Sequence, residues 1–409
     1  MLKYRNVWPI SEIISMFKTI LPKLSNFRDV AMKTRQHCLS NLGWKDNDSQ
    51  LNADNCQLVL GFGSSENIIK PELYQHLKNI YPNACIVLAS TAGEIMDNMV
   101  FDDSVVVTAI ELEKSSISCV KTNIKSHVNS FEAGQYLMNE LAKEDLKSVF
   151  IISDGTFVNG TDLVSGFNEK NVSQVPITGG LAGDAARFEQ TFTGLNEIPA
   201  QGNVIAVGFY GAALEIGHGS FGGWDEFGHE RIITKSDKNV LYEIDGKNAL
   251  DLYKQYLGDF VADLPGSALL FPLSIRISGS DQNLVRTILS VNEQDKSMTF
   301  AGNLPEGSKV RLMKAKFDRL IDAAATAASS SYHPIKNTEP QLAILISCVG
   351  RKLILQDRID EEVEAAKSIL GDHTAITGFY SYGEISPFTT GTQCELHNQT
   401  MTITTITEL

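Results

Sequence analysis

The chain has 409 residues, 43% of them hydrophobic and 21% charged, a composition that reads as a soluble globular protein of about two domains. Its 35 Lys plus Arg against 49 Asp plus Glu give a net charge of −14, which disfavours nucleic acid and anionic membrane as main partners, since both reward a basic patch. No run approaches the roughly 20 apolar residues that span a bilayer, and the six cysteines form no Cys-x-x-Cys pair, so they read as reduced cytosolic thiols rather than a zinc site or disulfide scaffold.

Residues 1–50 read as a helical segment, with apolar residues at helical spacing over 10–21 and 29–42. Lys3 and Arg5 precede an apolar stretch, but Glu12 and Lys18 interrupt it, unlike a signal peptide. Residues 45–55 read as a polar linker. A strand pattern over 58–63 follows, then a helix over 72–80 stopped by Pro82, then a second apolar run over 85–88. That run ends in Ser90-Thr91-Ala92-Gly93-Glu94.

The same order recurs twice. An apolar run over 149–153, a helix over 161–168 and a run over 175–178 lead into Gly179-Gly180-Leu181-Ala182-Gly183-Asp184. A run over 342–348, a helix over 360–370 and a run over 374–377 lead into Gly378-Phe379-Tyr380-Ser381-Tyr382-Gly383-Glu384. Each unit has the length of a strand-helix-strand module and closes in glycine plus a carboxylate. Each is followed by two strands across a short turn (104–112 with 117–124, 204–210 with 214–219, 394–396 with 401–406), which read as hairpins. Residues 240–272, running on into strands 284–291 and 297–301, resemble a fourth copy without the Gly-acid ending. The fold class is therefore α/β, with mixed sheets built from repeated strand-helix-strand-hairpin units in two lobes. The glycine-dense stretch 217–224 marks a seam. The expected domains are 1–50 (helical), 51–223 and 224–409.

Several phrases resemble FIST-domain proteins (F-box and intracellular signal transduction). They are Ser90-Thr91-Ala92-Gly93-Glu94-Ile95, Gly179 to Asp184, Leu241-Tyr242-Glu243-Ile244-Asp245-Gly246, Ser347-Cys348-Val349-Gly350-Arg351 and Gly383-Glu384-Ile385, in that order. The resemblance covers roughly residues 27–409. Many members carry Gly-Cys before the first phrase; here Leu88-Ala89 stands there, so no cysteine role is expected at that place. The resemblance implies a sensory ligand-binding protein rather than an enzyme. Stand-alone bacterial members resemble haem b proteins that sense nitric oxide and work with a histidine kinase. Other members imply a non-haem, amino-acid-like ligand.

The residues themselves contain no Gly-x-Gly-x-x-Gly, Walker or His-Glu-x-x-His motif, which disfavours an enzyme as the third reading. Glu94, Asp184 and Glu384 are either acids around one cleft or turn residues holding backbone amides. With Ser90, Thr91, Ser347 and Tyr382 they are the candidate pocket. Arg351 follows a strand end, where a guanidinium suits a ligand carboxylate or haem propionate, or else an internal bridge. Among the eight histidines, the resemblance to haem sensors makes His218 the first candidate iron ligand, with His229 and His37 behind it. Gly217 and Gly219 flank His218 and would let a flat macrocycle approach. Phe221, Trp224, Phe227, Phe379, Tyr380 and Tyr382 either wall a pocket or fill an ordinary core. The expected location is cytoplasmic, with residues 1–50 a candidate docking element for a partner.

Overall fold

The computed structural model describes residues 32–40, 43–46, 51–264, 266–277, 283–331, 339–389 and 391–409. Three repeated units organise it. Unit I opens with the strand Leu58–Gly63, passes through the helix Pro71–Ile80 and returns as Cys85–Ser90, parallel to the first. Unit II repeats this with Leu146–Ser153, the helix Gly160–Lys170 and Ile177–Leu181. Unit III does so with Leu342–Cys348, helices Val349–Leu355 and Ile359–Leu370, and Ala375–Ser381. A return strand then pairs antiparallel with each opening strand: Val105–Glu111, Asn203–Tyr210 and Met401–Glu408.

Between the second strand and the return strand, each unit gives a strand away. Glu94–Met96 of unit I pairs with Ala375–Ser381 of unit III. Gly383–Pro387 of unit III pairs with Ile177–Leu181 of unit II. Thr193–Leu195 of unit II pairs with Cys85–Ser90 of unit I. The exchange is a closed cycle, so each sheet depends on another unit for its edge. Each glycine-acid phrase is the point where the chain leaves its own sheet. At the first, Gly93 holds a φ of +140°, a backbone region that side-chain-bearing residues avoid.

Burial explains the continuous apolar runs. In a strand, alternate side chains point to opposite faces. Leu58, Leu60 and Phe62, Phe150 and Ile152, and Leu342, Ile344 and Ile346 share one central cluster. Their neighbours face outward: Val59 packs toward Leu73 and Leu77, while Val149, Ile151, Ala343 and Leu345 meet the helices of units II and III. The sheets thus surround an apolar centre with helices outside them. Phe62 and Phe379 touch across it with ring centroids 4.7 Å apart. Burying each such ring contributes about 1.5–3 kcal/mol.

Residues 225–314 form a separate eight-stranded antiparallel sheet with the helix Ala249–Leu257 on it. They stand between the outermost strand of the third sheet, Leu214–Phe221, and the helix Phe317–Ser331. This replaces the expected fourth copy. Val240–Ile244 has antiparallel neighbours, and residues 266–270 form a 3-10 turn instead of a strand.

Three other expectations change. None of the three hairpins anticipated after units I, II and III closes, whereas Ile288–Asn292 and Ser297–Phe300, in the stretch 284–301, do pair across their turn. Val105–Glu111 lies in the first sheet and Ser116–Asn123 in the second; Asn203–Tyr210 lies in the second and Leu214–Phe221 in the third. Cys394–His397 and Met401–Glu408 divide between the second and third sheets. A short turn between strands permits a hairpin, but both edges of each return strand are already taken. Next, part of the expected helix over 29–42 is the strand Lys33–Ser40, drawn out by seven residue pairs with the first return strand; pairing partners override local propensity. The 10–21 helix lies outside the described residues. Last, the serine run 329–331, which by composition reads as the start of a surface loop, ends the helix Phe317–Ser331 instead.

Candidate functional site

The three phrases meet. Ala92 N donates to Tyr380 O and Tyr380 N to Gly93 O, both at 2.8 Å; Gly183 N donates to Ser90 O at 2.9 Å, and Tyr382 N to Leu181 O at 3.3 Å. First phrase bonds third, second bonds first, and third bonds second.

Glu94 and Glu384 have matching environments. Glu94 accepts from Thr91 Oγ1 (2.5 Å) and from Ser104 Oγ (2.6 Å) and N (3.3 Å). Glu384 accepts from Ser381 Oγ (2.6 Å), Thr400 Oγ1 (2.9 Å) and Thr400 N (3.1 Å). In each, a hydroxyl three residues back and the residue before the return strand hold the carboxylate. Burial pushes both carboxyls up to about 7 against the pull of these hydrogen bonds.

Asp184 departs from the pattern. It accepts from Ser65 Oγ (2.6 Å), from Arg187 Nη2 (2.5 Å) and Nε (3.0 Å), and from Gln190 N (3.3 Å). Burial raises its pKa, but the hydrogen bonds from Arg187 and Ser65 prevail and hold it below the usual carboxylate range. Before the return strand, unit II has Gly202 in place of a hydroxyl residue. Gly202 N donates instead to Asp154 Oδ2 at 2.9 Å.

The loop 185–190 that follows Asp184 borders a cleft of about 520 Å³. The cleft lies beyond the carboxyl ends of the parallel strands of unit II, where ligands of α/β sheets gather. One wall is the loop 155–160 at the start of the unit II helix, with Phe157 and Asn159. A second is Phe188, Glu189 and Tyr382, and the antiparallel domain supplies Asn239, Leu289 and Phe300. Phe188 and Tyr382 stack with centroids 4.5 Å apart. The Tyr382 hydroxyl accepts from Phe188 N at 3.0 Å and donates to Ala185 O at 3.3 Å, which fixes the ring.

The candidate residues therefore separate. Asp184 and Tyr382 border or support the cleft. Ser90 Oγ accepts from Phe192 N at 2.9 Å and holds the same loop. Thr91, Glu94 and Glu384 lie in the turns behind it. Ser347 and Arg351 belong to a buried network around Glu362, on the helix Ile359–Leu370, whose 3.6-residue period puts Ile369 with Val363 and Ala366 on its apolar face. In the structure Ile369 is exposed and Glu362 is fully buried. Arg351 donates to Glu362 Oε2 from Nη2 (2.7 Å) and Nε (3.0 Å), and also to Gly222 O and Leu320 O. Ser347 Oγ and Tyr380 Oη donate to Glu362 Oε1. The guanidinium is thus committed to the interior. Tyr380 and Tyr382, which share a face if the strand stays extended, part where the chain crosses between sheets.

His218 lies on Leu214–Phe221 and borders a second cavity of about 360 Å³, with Lys147, Pro176 and Pro387. Its flanking glycines serve another purpose than the one expected. A Cβ on Gly217 would overlap the carbonyl of Ser331, and one on Gly219 that of Ala327. They admit the helix Phe317–Ser331 and leave no gap for a macrocycle on that face. His229 is exposed on Asp225–Asp237, and His37 bonds Tyr81 Oη at 2.6 Å. Of the six aromatics, Phe379 is core, Trp224 donates to Gln399 O, and Phe227 packs near Phe271; Tyr382 alone of them lines the larger cleft. Phe157, Phe188 and Glu189 are not legible as site residues, because they sit in irregular segments without periodicity. Asp154, in a Ser153-Asp154-Gly155 phrase that reads either as a nucleophile or as a strand-end turn, holds the backbone amides of its turn and of Gly202.

Among the described residues no group of three or more His, Cys, Asp and Glu is placed to hold a metal ion, and no helix is long and apolar enough to cross a membrane. A search of curated proteins finds no match. Residues 57–247 match the FIST N domain and residues 249–387 the FIST C domain. FIST domains are sensory, ligand-binding domains of signal transduction. With the two models together spanning most of its length, the chain belongs to the FIST family.

Proposed function

We propose that this chain is a cytoplasmic sensor that binds a small organic ligand in the cleft between unit II and the antiparallel domain, and reports it by contact with a signalling partner such as a histidine kinase. One observation carries the reading: three of the exposed large apolar side chains, Phe157, Phe188 and Leu289, ring this cleft. Clustered exposed apolar surface around a concavity is the mark of a ligand groove. Ligand would tie the loops 155–160 and 185–190 to the antiparallel domain, and that closure is the change a partner would read. Thermal unfolding of the full chain with a panel of amino acids, amines and nucleobases tests this. A ligand at 100 times its Kd adds about 2.7 kcal/mol, and Phe157→Ala should abolish the shift. No shift with any compound, or a shift that survives Phe157→Ala, counts against the reading.

The second reading is haem b with nitric oxide as the signal, and His218 favours it. That residue borders its own cavity, with Lys147 on the wall for an acidic substituent. His218 is the residue that would hold the group through its imidazole, and haem would supply the iron that binds the gas. Arg351, bound to Glu362, would not hold a propionate. Reconstitution should give a Soret band that moves with nitric oxide and is lost in His218→Ala; no band removes this reading.

A further inference from the structure

We propose that the larger cleft selects a positively charged organic ligand, an amine or quaternary ammonium, over a carboxylate. The proposal rests on the cleft being the ligand site. Its lining contains three aromatic rings with exposed surface, Phe157, Phe188 and Tyr382, and one carboxylate, Glu189, with no Lys, Arg or His. Aromatic faces attract cations through their quadrupole and repel anions. The stacked pair Phe188–Tyr382 is pinned by the Tyr382 hydroxyl, so these rings are in place before a ligand arrives.

The backbone argues the same way. A loop between a strand and a helix binds anions when its amides point outward. Here Gly155 N donates to Thr191 Oγ1, Thr156 N and Phe157 N to Asp154 Oδ1, and Asn159 N to Ser130 Oγ, at 2.6–2.9 Å. The first turn of the helix is capped as well, with Asp162 N on Asn159 Oδ1 at 3.0 Å. The loop has turned these donors inward and set Asp154 behind them. Asn239 gives one amide hydrogen to Phe300 O at 2.8 Å and keeps its oxygen as an acceptor. The neighbouring bases do not reverse this. Arg187 is bound to Asp184, Lys238 precedes Asn239 without joining the lining, and Arg286, behind Gly302, is buried and donates to the carbonyls of Val285, Asn303 and Leu396. A carboxylate entering here would lose water and meet no cationic side chain in the lining, whereas the chain's charge of −14 draws cations toward the surface.

The test uses three probes with one ring system on the full chain: tryptamine, indole and indole-3-acetate, measured by calorimetric titration. Tryptamine should bind at least tenfold more tightly than indole-3-acetate, with indole between. Glu189→Gln should reduce that ratio severalfold, and added salt should weaken tryptamine binding alone. Phe157→Ala should weaken tryptamine and indole together. Both side chains are exposed, so neither variant threatens folding. Indole-3-acetate binding as tightly as tryptamine, or an unchanged ratio in Glu189→Gln, overturns the charge selection. If indole still binds and depends on Phe157, the cleft reading survives that failure. No binding by any probe, or binding indifferent to Phe157→Ala, overturns both.

Discussion

Units I and III differ from unit II at one repeated position, and the difference separates folding from function. Glu94 and Glu384 each tie a crossover to the start of a return strand, fully inside the molecule. Asp184 occupies the same place in the phrase, but hands that task to Asp154 and turns to Ser65 and Arg187. The cleft opens beside the unit that departs. A duplicated module copies its structural contacts along with its fold, so a copy that breaks the pattern is the place to look for a site.

The largest test of this contrast removes the carboxylates. Glu384→Ala and Asp154→Ala should each cost about 2–4 kcal/mol, because buried amides and hydroxyls lose their acceptor. Asp184→Ala should cost about 1 kcal/mol, since its main partner Arg187 is 44% exposed and such pairs are weak. Urea unfolding measures all three; an equal cost at Asp184 would remove the distinction.

A pH series sharpens it. The folded pKa of Glu94 and of Glu384 is about 7 against an ordinary 4.5, so the folded chain keeps protons that the unfolded chain releases. Stability should fall as pH rises from about 4.5 through about 7, by at most roughly 1.4 kcal/mol per pH unit for each carboxyl. The Glu94→Gln/Glu384→Gln double variant should lose that slope between pH 5 and 8. Glutamine can turn its nitrogen toward Thr91 or Ser381 and keep an oxygen for the return strand. Asp184 has the opposite sign. Its lowered pKa gives stability that is present above the ordinary 3.8 and lost as pH falls below it, a slope that Asp184→Asn should flatten.

The smallest stability effect is expected where the binding effect is greatest. Phe157→Ala should change unfolding free energy by within about 0.5 kcal/mol, because Phe157 is 57% exposed. Ligand binding should nonetheless be lost. A larger loss of stability would make Phe157 a core residue rather than a cleft wall.

What could be read beforehand followed from local periodicity. The apolar runs, the helices Pro71–Ile80 and Ile359–Leu370, and the Gly-acid endings were legible because burial on both faces and helix caps act over a few residues. The site was only partly legible. Tyr382 and Asp184 stood out as members of a repeated phrase, while Phe188 and Glu189 lay in a stretch with no period. Arg351 looked available until Glu362, one helix away, proved to be its partner.

The sequence by itself determined that three strand-helix-strand units exist and that each closes on glycine and an acid. Only the tertiary structure decided that the units exchange their edge strands in a cycle, that the hairpins expected after the units split between sheets, and that unit II carries the cleft. Those choices depend on which strand edge is free and which carboxylate finds a donor. Both are settled by contacts between residues far apart in the chain, such as Asp184 with Ser65 and Tyr382 with Phe188.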